Sequence, residues 1–305
     1  MKIRIGGRGS QLSLVQLDLV RAALSDRADV EIVSYRTTGD RLSRLDASMT
    51  GKDLFTREID EALLDGRVDV AVHSLKDLPS QLPLGLVLAA VPVREDPSDV
   101  LVARDASSFA DLPAGSRVGT SSPRRRAQVL LSRPDLEVTD ARGNVDTRIR
   151  RLREGRWDAL VLARAGLARL QRLADVTEVL PPSWMLPAIG QGALAVVTRR
   201  EDDPVRELVE RLNHLASHRE VLAERALLGL LEAGCRAPIA GLARTDGKRL
   251  RLTAAVFASD GSRTLHEEGE GTADDAAELG LGVARRLLAR GAADLLAISR
   301  GHAGA

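Results

Sequence analysis

Short apolar runs and longer amphipathic stretches alternate along the first half of the chain. Residues 2–6 and 30–35 mix apolar and polar side chains as half-buried strands do, and residues 68–73 form a more apolar run typical of a buried strand. Residues 11–24 and 54–64 repeat apolar side chains at helical intervals, which predicts amphipathic helices. Strands that alternate with helices predict a mostly parallel sheet with helices on both faces.

The same alternation returns in the second half. It predicts strands at residues 117–119, 136–141 and 158–163, each joined to the next by a helix. Glycine-containing segments recur in the same order in both halves: Ile5-Gly6 and Ser10 with Val118-Gly119 and Ser122, Thr38-Gly39-Asp40 with Arg142-Gly143-Asn144, and Asp65-Gly66-Arg67 with Glu154-Gly155-Arg156. Two copies indicate two related α/β lobes rather than a solenoid.

The pattern changes from about residue 214. A helix predicted at residues 219–232 is followed by extended runs at 249–258 and 262–270, with a hairpin turn at Asp260-Gly261. Helices are expected from residue 274 to 296. These elements predict a small α+β domain at the end of the chain.

The chain is expected to cross between the lobes twice. The first crossing is predicted near residues 94–97, a charged stretch with a proline, and the second near residues 187–192. The predicted organisation is lobe 1 at residues 1–93 with 193–213, lobe 2 at residues 98–187, and a C-terminal domain at residues 214–305.

Composition narrows the possible functions. The net charge is +1 and aromatic residues make up 2% of the 305 residues, so neither a basic field nor stacking platforms for nucleic acid are expected. A single cysteine, Cys235, excludes an internal disulfide and a cysteine-based metal site. The longest apolar stretch, residues 82–93, is too short to cross a bilayer, and the N-terminus lacks a signal-peptide core. We therefore expect a cytoplasmic protein that binds no membrane, metal or nucleic acid.

Two predicted helix starts combine hydroxyl side chains with arginines. Ser10 follows Arg8, and the run Thr120-Ser121-Ser122 precedes Arg124-Arg125-Arg126. Free backbone N–H groups and the positive dipole end of a helix bind anions, and guanidinium groups bind carboxylate or phosphate. Ordinary N-capping is the alternative explanation of the hydroxyl residues. The adjacent cations favour a carboxylate or phosphate ligand.

A second arginine group surrounds a predicted turn. Gly143-Asn144 favours a turn with positive φ, Arg142 precedes it, and Arg148 lies in the first turns of the next helix. Both arginines can therefore face the mouth of the sheet.

The strand at residues 68–73 is followed by the pair Lys76-Asp77, which has no counterpart in the second half. Ligands of open α/β sheets bind beyond the carboxyl ends of strands. The pair is therefore either a catalytic addition to a shared scaffold or a surface salt bridge. His73 is expected to be a core histidine, and the long polar segment at residues 37–55 is either a lid or merely a mobile loop.

Cys235 lies between Gly234 and Arg236, after a predicted helix end and shortly before Pro238. A lone cysteine is usually a small buried hydrophobic residue. A loop position beside a cation instead favours the reactive thiolate form.

Seven segments in this order resemble porphobilinogen deaminases along essentially the whole chain. They are Arg8-Gly9-Ser10, Gly51-Lys52-Asp53-Leu54-Phe55, His73-Ser74-Leu75-Lys76-Asp77-Leu78-Pro79, Gly119-Thr120-Ser121-Ser122-Pro123-Arg124-Arg125, Arg142-Gly143-Asn144, residues 187–193 with Gln191, and Gly234-Cys235-Arg236-Ala237-Pro238. Asp53 and Arg57 depart from the Gly and Lys that the family pattern leads us to expect.

The resemblance implies an α/β fold of two lobes like type II periplasmic binding proteins, with a small α+β C-terminal domain. It implies a monomeric transferase that condenses four porphobilinogen molecules, with loss of ammonia, into hydroxymethylbilane. The growing oligopyrrole chain would be carried by a dipyrromethane cofactor attached to Cys235 through a thioether. Catalytic roles are implied for Asp77, Lys76 and Lys52. Cofactor and substrate binding is implied for Arg8, Ser10, Ser74, Thr120, Ser121, Ser122, Arg124, Arg125, Arg142, Gly143, Arg148, Arg169 and Gln191.

The implied chemistry suits these residue types. Loss of ammonia from porphobilinogen leaves a cationic azafulvene, and a carboxylate such as Asp77 can stabilise that charge and help to move protons. Every pyrrole ring carries two carboxylates, so clustered arginines are expected in the cleft.

Two other classes of function remain open from the sequence. A cytoplasmic anion sensor or solute-binding protein would use the same two lobes but would need neither Cys235 nor a catalytic Lys76-Asp77 pair. A nucleic-acid binder would use the arginines at residues 124–126 and 148–153, although the neutral net charge and the scarce aromatic residues argue against it.

Overall fold

The computed structural model describes residues 1–39, 55–231 and 237–301. The chain divides into two compact units, Met1–Glu95 with Gly192–His218 and Asp96–Gln191 with Arg219–Ala305. The domain boundaries predicted from the sequence stay a prediction. Among the described residues, no helix is both long and apolar enough to cross a membrane.

Strands and helices alternate along most of the described chain. The strands are β1 Lys2–Arg8, β2 Asp29–Tyr35, β3 Val70–Ser74, β4 Leu86–Ala90, β5 Asp99–Ala103, β6 Arg117–Gly119, β7 Glu137–Thr139, β8 Ala159–Ala163, β9 Glu178–Leu180, β10 Leu194–Arg199, β11 Ile239–Asp246, β12 Arg249–Phe257 and β13 Thr264–Thr272. The helices are α1 Gln11–Leu24, α2 Arg57–Leu64, α3 Pro123–Ser132, α4 Val145–Arg153, α5 Arg164–Arg169, α6 Asp203–Glu210, α7 Leu215–Leu230, α8 Ala276–Ala289 and α9 Ala292–Gly301.

The first unit contains a five-stranded sheet in the order β2-β1-β3-β10-β4, and the second unit contains one in the order β7-β6-β8-β5-β9. The two orders correspond strand for strand, as the sequence repeat predicts. The second unit also contains the antiparallel sheet β11-β12-β13. Two α/β lobes and a small α+β domain are therefore confirmed.

The expectation of mostly parallel sheets is confirmed, because four of the five strands in each large sheet run in the same direction and one strand runs in reverse. β1 runs parallel to β2 and β3, but β10 is antiparallel to β3 and β4. In the other sheet β5 is likewise antiparallel to β8 and β9. The reason is topological: β5 and β10 follow the points where the chain passes from one unit to the other, and each enters its new sheet in the reverse direction.

Alternating side chains place helices on both faces of the first sheet. Val70 and Val72 of β3 join a core with Leu17, Val20 and Leu24 of α1, whose spacing of three and four residues forms one helical stripe. His73, on the opposite face of β3, instead meets Asp60 of α2.

The second sheet is packed in the same way. Leu101 and Val161 pack with Val129 of α3. Leu160 and Leu162 point to the other face and pack with residues of α4 that include Ile149. Helices α7, α8 and α9 cover one face of the three-stranded sheet. Leu252, Val256 and neighbouring residues of the sheet pack against them.

Most differences from the expected elements lie at their ends. Helix α1 and strand β6 have the predicted bounds, whereas α7 begins at Leu215 rather than residue 219 and β13 extends to Thr272 rather than residue 270. Residue 54, the expected start of α2, lies outside the described residues, and the helix begins at Arg57. Such shifts are common because cap contacts, rather than periodicity, set helix ends.

A glycine determines how closely α8 approaches α7. A Cβ at Gly280 would fall on the backbone carbonyl of Ala223, whereas a Cβ at Gly282 on the same helix would meet only the end of Arg286, 3.8 Å away. We expect Gly280→Ala to lower the free energy of unfolding by about 2 kcal/mol or more, because backbone cannot move aside.

Gly282→Ala is the matched control, and we expect it to raise stability by about 0.5–1 kcal/mol through better helix propensity. Urea denaturation followed by circular dichroism measures both values. Equal effects of the two substitutions would contradict the close approach of α7 and α8.

Candidate functional site

Three parallel strands of the first unit end at the same edge of their sheet. β1 ends at Arg8, β2 at Tyr35 and β3 at Ser74. Polar residues that follow these strands are therefore gathered, as expected for the carboxyl edge of an α/β sheet. The sequence analysis predicted site residues at this edge, namely Arg8, Ser10, Ser74 and Asp77.

A pocket opens at this edge of the sheet. Its lining combines cation, hydroxyl and carboxylate groups with apolar side chains: Arg8, Ser10, Leu12, Ser13, Gln16, Phe55, Thr56, Val72, His73, Ser74 and Asp77. Four predicted site residues are thus brought together around one cavity.

Asp77 is presented to the pocket by a single turn of 3-10 helix, Leu75–Asp77. The turn is anchored because Leu75 and Leu78 are buried and the backbone N–H of Leu75 donates to the carbonyl of Ala193 at 3.0 Å. Asp77 itself is only partly buried. Lys76 is also partly buried but is not among the residues that line the pocket.

The walls beside Asp77 are held by directional contacts. Ser10 caps α1 and accepts a hydrogen bond from the N–H of Ser13 at 3.3 Å. Gln16 Nε2 donates to Ser74 Oγ at 2.8 Å. The Arg8 guanidinium lies over the Phe55 ring, 4.3 Å from its centroid, a distance suited to cation–π attraction.

Gln16 and Phe55 were not singled out in the sequence as site residues. The signal for Gln16 is a buried amide within the apolar stripe of α1, next to Leu17. Buried polar side chains need partners, so such a position deserves scrutiny. Phe55 was named only as the end of a segment that resembles the family, and its contact with Arg8 distinguishes it from an ordinary core aromatic.

The second unit gathers hydroxyl groups and cations at the corresponding edge. Ser122 caps α3, accepting from the N–H of Arg125 at 3.4 Å, and its own N–H donates to Thr120 Oγ1 at 3.2 Å. Thr120 is fixed by a backbone hydrogen bond to Thr139, and Ser121 is exposed. The structure therefore contains both the N-cap and the exposed helix start that the sequence suggested.

Arg124 and Arg125 are buried, with exposed fractions of 3% and 6%, and both pair with Asp99. Arg124 Nη1 and Asp99 Oδ2 lie 2.7 Å apart. Arg125 donates to Asp99 Oδ1 through Nε at 3.0 Å and through Nη2 at 2.7 Å. Because two guanidinium groups face one carboxylate, the cluster carries one net positive charge.

The cluster is tied to the surrounding backbone. Arg124 donates to the carbonyl of Leu186 at 2.7 Å and Arg125 to that of Val161 at 3.0 Å. Gln191 Nε2 donates to Asp99 Oδ1 at 2.9 Å and to the carbonyl of Pro97 at 2.6 Å. Gln191 therefore supports the arginines through Asp99.

Asp99 was not predicted as a site residue, although an acid at the start of the apolar run of residues 99–103 is a recognisable signal. Burial by itself raises the pKa of the Asp99 carboxyl, but the charges and hydrogen bonds of Arg124 and Arg125 outweigh burial and lower the pKa to about 2. Burial also lowers the pKa of the Arg124 guanidinium, which nevertheless stays protonated near neutral pH.

The other predicted arginines lie elsewhere in the second unit. Gly143 has φ of +101° as expected, but Asn144 is extended and caps α4. Arg148 Nε donates to the carbonyl of Gly143 at 2.7 Å, and Arg142 pairs with Asp140 at 3.1 Å. Arg169 is the last residue of α5 and is partly buried.

Some predictions fall outside the described residues. Lys52 lies in the segment 40–54 and Cys235 in the segment 232–236. The suggested lid at residues 37–55 belongs mostly to the first of these segments. Among the described residues, no group of three or more His, Cys, Asp or Glu side chains could hold a metal ion.

The Asp99 cluster predicts a pH-dependent contribution to stability. Because the pKa of the Asp99 carboxyl is lower in the folded than in the unfolded chain, ionised Asp99 stabilises the fold above about pH 4. This contribution, roughly 2 kcal/mol, is lost as the pH falls from about 4 through about 2. Urea denaturation of the wild type and of Asp99→Asn at several pH values between 5 and 2 measures this contribution to the free energy of unfolding. The stability difference between the two proteins is expected to narrow over this range, and a constant difference would contradict the assignment.

Comparison with known proteins identifies the family. The porphobilinogen deaminase dipyrromethane cofactor binding domain matches residues 3–207, and the porphobilinogen deaminase C-terminal domain matches residues 218–289. A porphobilinogen deaminase of Rubrobacter xylanophilus is 48% identical over 306 residues, covering 98% of both chains. That of Geobacter sulfurreducens is 45% identical over 300 residues, covering 97% of this chain and 94% of the relative.

Solved structures similar to the chain include a nutrient-binding protein from Burkholderia cenocepacia bound to methionine, with a TM-score of 0.42 and 15% identity. The match covers 69% of this chain and 91% of that one. The domain matches and the closely similar relatives, which extend over nearly the full length, show that the chain belongs to the porphobilinogen deaminase family.

Proposed function

We propose that the protein joins four porphobilinogen molecules head to tail into hydroxymethylbilane, releasing ammonia, as a step of tetrapyrrole biosynthesis. The observation that carries the proposal is the position of Asp77, a partly buried carboxylate in a pocket whose rim also holds Arg8, Ser10 and Ser74. A pocket of this composition suits a small ring that bears carboxylates and becomes cationic during the reaction. The alternative of a binding or sensor protein receives no support from the family matches.

Asp77 would act on the charge that the reaction creates. When the aminomethyl group leaves as ammonia, the pyrrole becomes cationic, and a fixed carboxylate nearby stabilises that cation more than the neutral ring. Asp77 can also accept the proton that leaves the attacking α-carbon. Arg8 and Ser10 would bind substrate carboxylates, and Lys76 and Lys52 would contribute further positive charge.

The second unit has the features that a dipyrromethane cofactor requires. Its buried cluster of Arg124, Arg125 and Asp99 carries one net positive charge, and Arg124 Nε has no hydrogen-bond partner among the described residues. These features favour a bound carboxylate. Hydroxyl groups and further cations on this unit would bind the remaining carboxylates: Thr120, Ser121, Ser122, Arg142, Arg148 and Arg169. Gln191 would act through Asp99, and Gly143 through the turn it forms.

Cys235 is proposed as the attachment point, because it is the chain's single thiol and stands beside Arg236. Dipyrromethane, when bound, supplies the free α-carbon to which the first porphobilinogen is joined. By its membership of the family, the protein is proposed to act in the cytoplasm as a monomer.

Asp77→Ala tests the catalytic role. We expect turnover to fall by about a thousandfold or more because the cation loses its stabilising charge, while the circular dichroism spectrum stays unchanged. The exposed Asp65, which pairs with Arg67, provides the control, and Asp65→Ala should stay within about twofold of wild type. Hydroxymethylbilane formation from porphobilinogen is the measurement. Activity of Asp77→Ala within about tenfold of wild type, a barrier change of about 1.4 kcal/mol, would remove Asp77 from the mechanism.

Intact mass tests the cofactor and its attachment. The purified protein is expected to carry an excess mass equal to one dipyrromethane and to give a colour with Ehrlich's aldehyde reagent. Both signals should disappear in Cys235→Ala, because no other thiol exists in the chain. An unmodified mass in active wild-type protein would refute the covalent cofactor.

A further inference from the structure

A carboxylate and an imidazole are buried together at the pocket of the first unit, where His73 is itself a lining residue and Asp60 is not. Asp60 Oδ1 and His73 Nε2 lie 3.5 Å apart, and their side chains are only 5% and 3% exposed. Neither atom has a hydrogen-bond partner among the described residues, and the same is true of Thr56 Oγ1. Polar groups buried in this way lower stability unless a partner compensates them. The pair is therefore not what an ordinary core would contain.

The two residues belong to two elements that both contribute to the lining of the pocket. Asp60 lies one turn into α2, and its N–H donates to the carbonyl of Thr56 at 2.9 Å. Phe55 and Thr56 precede this helix and line one wall. His73 is the penultimate residue of β3 and is followed by Ser74 and the turn that presents Asp77. The contact between Asp60 and His73 consequently joins these two parts of the lining.

Two further contacts hold the start of α2, one to Thr38 and one to Arg8. Glu58 Oε1 accepts from the N–H and the hydroxyl of Thr38 at 2.7 and 2.6 Å. Arg8 lies over the Phe55 ring. None of these contacts reaches the end of β3, where Asp77 follows. Asp60 and His73 supply that connection through the 3.5 Å approach of their buried polar groups.

We propose that Asp60 and His73 are positioning residues for the condensation, a role that rests on the proposed function. Their contact holds the wall formed by Phe55 and Thr56 at a set distance from Asp77. The pocket then keeps the width that orients one porphobilinogen ring against the carboxylate. Without the contact, the α2 wall moves and the ring is bound less well, although Asp77 keeps its own anchors at Leu75 and Leu78.

The test compares the kinetics of Asp60→Ala, His73→Ala and the double variant, each prepared with its cofactor. Each single substitution is expected to raise the KM for porphobilinogen about tenfold and to lower kcat less than about threefold. The double variant should be no worse than either single variant, because both remove the same contact. Asp60→Asn, which keeps the side-chain volume, is a second probe should an alanine variant fail to fold.

The matched control breaks a polar contact at the other end of β3. Asp69, directly before β3, accepts from the backbone N–H of Arg4 at 2.8 Å and from its Nε and Nη2 at 3.1 and 2.8 Å. Asp69→Ala should lower the melting temperature but leave the KM for porphobilinogen within about twofold of wild type. A general loss of stability is thereby separated from a change in the pocket.

Three results would overturn the positioning role. The first is an unchanged KM in folded Asp60 and His73 variants, and the second is an equal rise in KM in Asp69→Ala. The third is a fall in kcat of about a hundredfold at constant KM, which would make the pair part of the proton transfer itself. Inactive wild-type protein without a dipyrromethane would instead refute the proposed function, so the two failures are distinguishable.

Discussion

Neighbouring buried cations repel one another, and they stay close together only where the protein supplies a fixed countercharge. Asp99 provides it in the second unit, where one buried carboxylate is shared by Arg124 and Arg125. A buried carboxylate facing a single guanidinium would form a neutral pair with little remaining attraction for an anion. With two guanidiniums the cluster keeps one positive charge while its geometry stays fixed, which suits the binding of oligopyrrole carboxylates.

The two units share a strand order but place different side chains at the carboxyl edge of the sheet. In both, a hydroxyl residue caps the helix after the first strand of the repeat, Ser10 in one unit and Ser122 in the other. The first unit adds a carboxylate, Asp77, beyond the end of its third strand. The corresponding position in the second unit begins helix α5 with Arg164. One unit is thus suited to stabilising a cation, and the other to holding anions.

The sequence predicted which residues follow the strands at the carboxyl edges, but it did not predict the polar residues that contact them. Arg8, Ser74 and Asp77 follow strands and can be found from the alternation of strand and helix. Asp99 and the pair of Asp60 and His73 act through contacts between segments that are far apart along the chain: Asp99 is 26 residues from Arg125. Hydrophobic periodicity does not predict contacts between distant segments. The only sequence signal for such a contact is an unusual polar residue in an apolar run.

The sequence by itself determined the local elements, the twofold repeat and the family, because these depend on hydrophobic periodicity and on short motifs read along the chain. It did not determine the direction of β5 and β10, since strand direction depends on where the chain crosses between units and not on the composition of the strand. Tertiary structure alone decided which polar groups share a buried environment. The strength of a charge interaction depends on distance and burial in space, and neither quantity is written in the order of the residues.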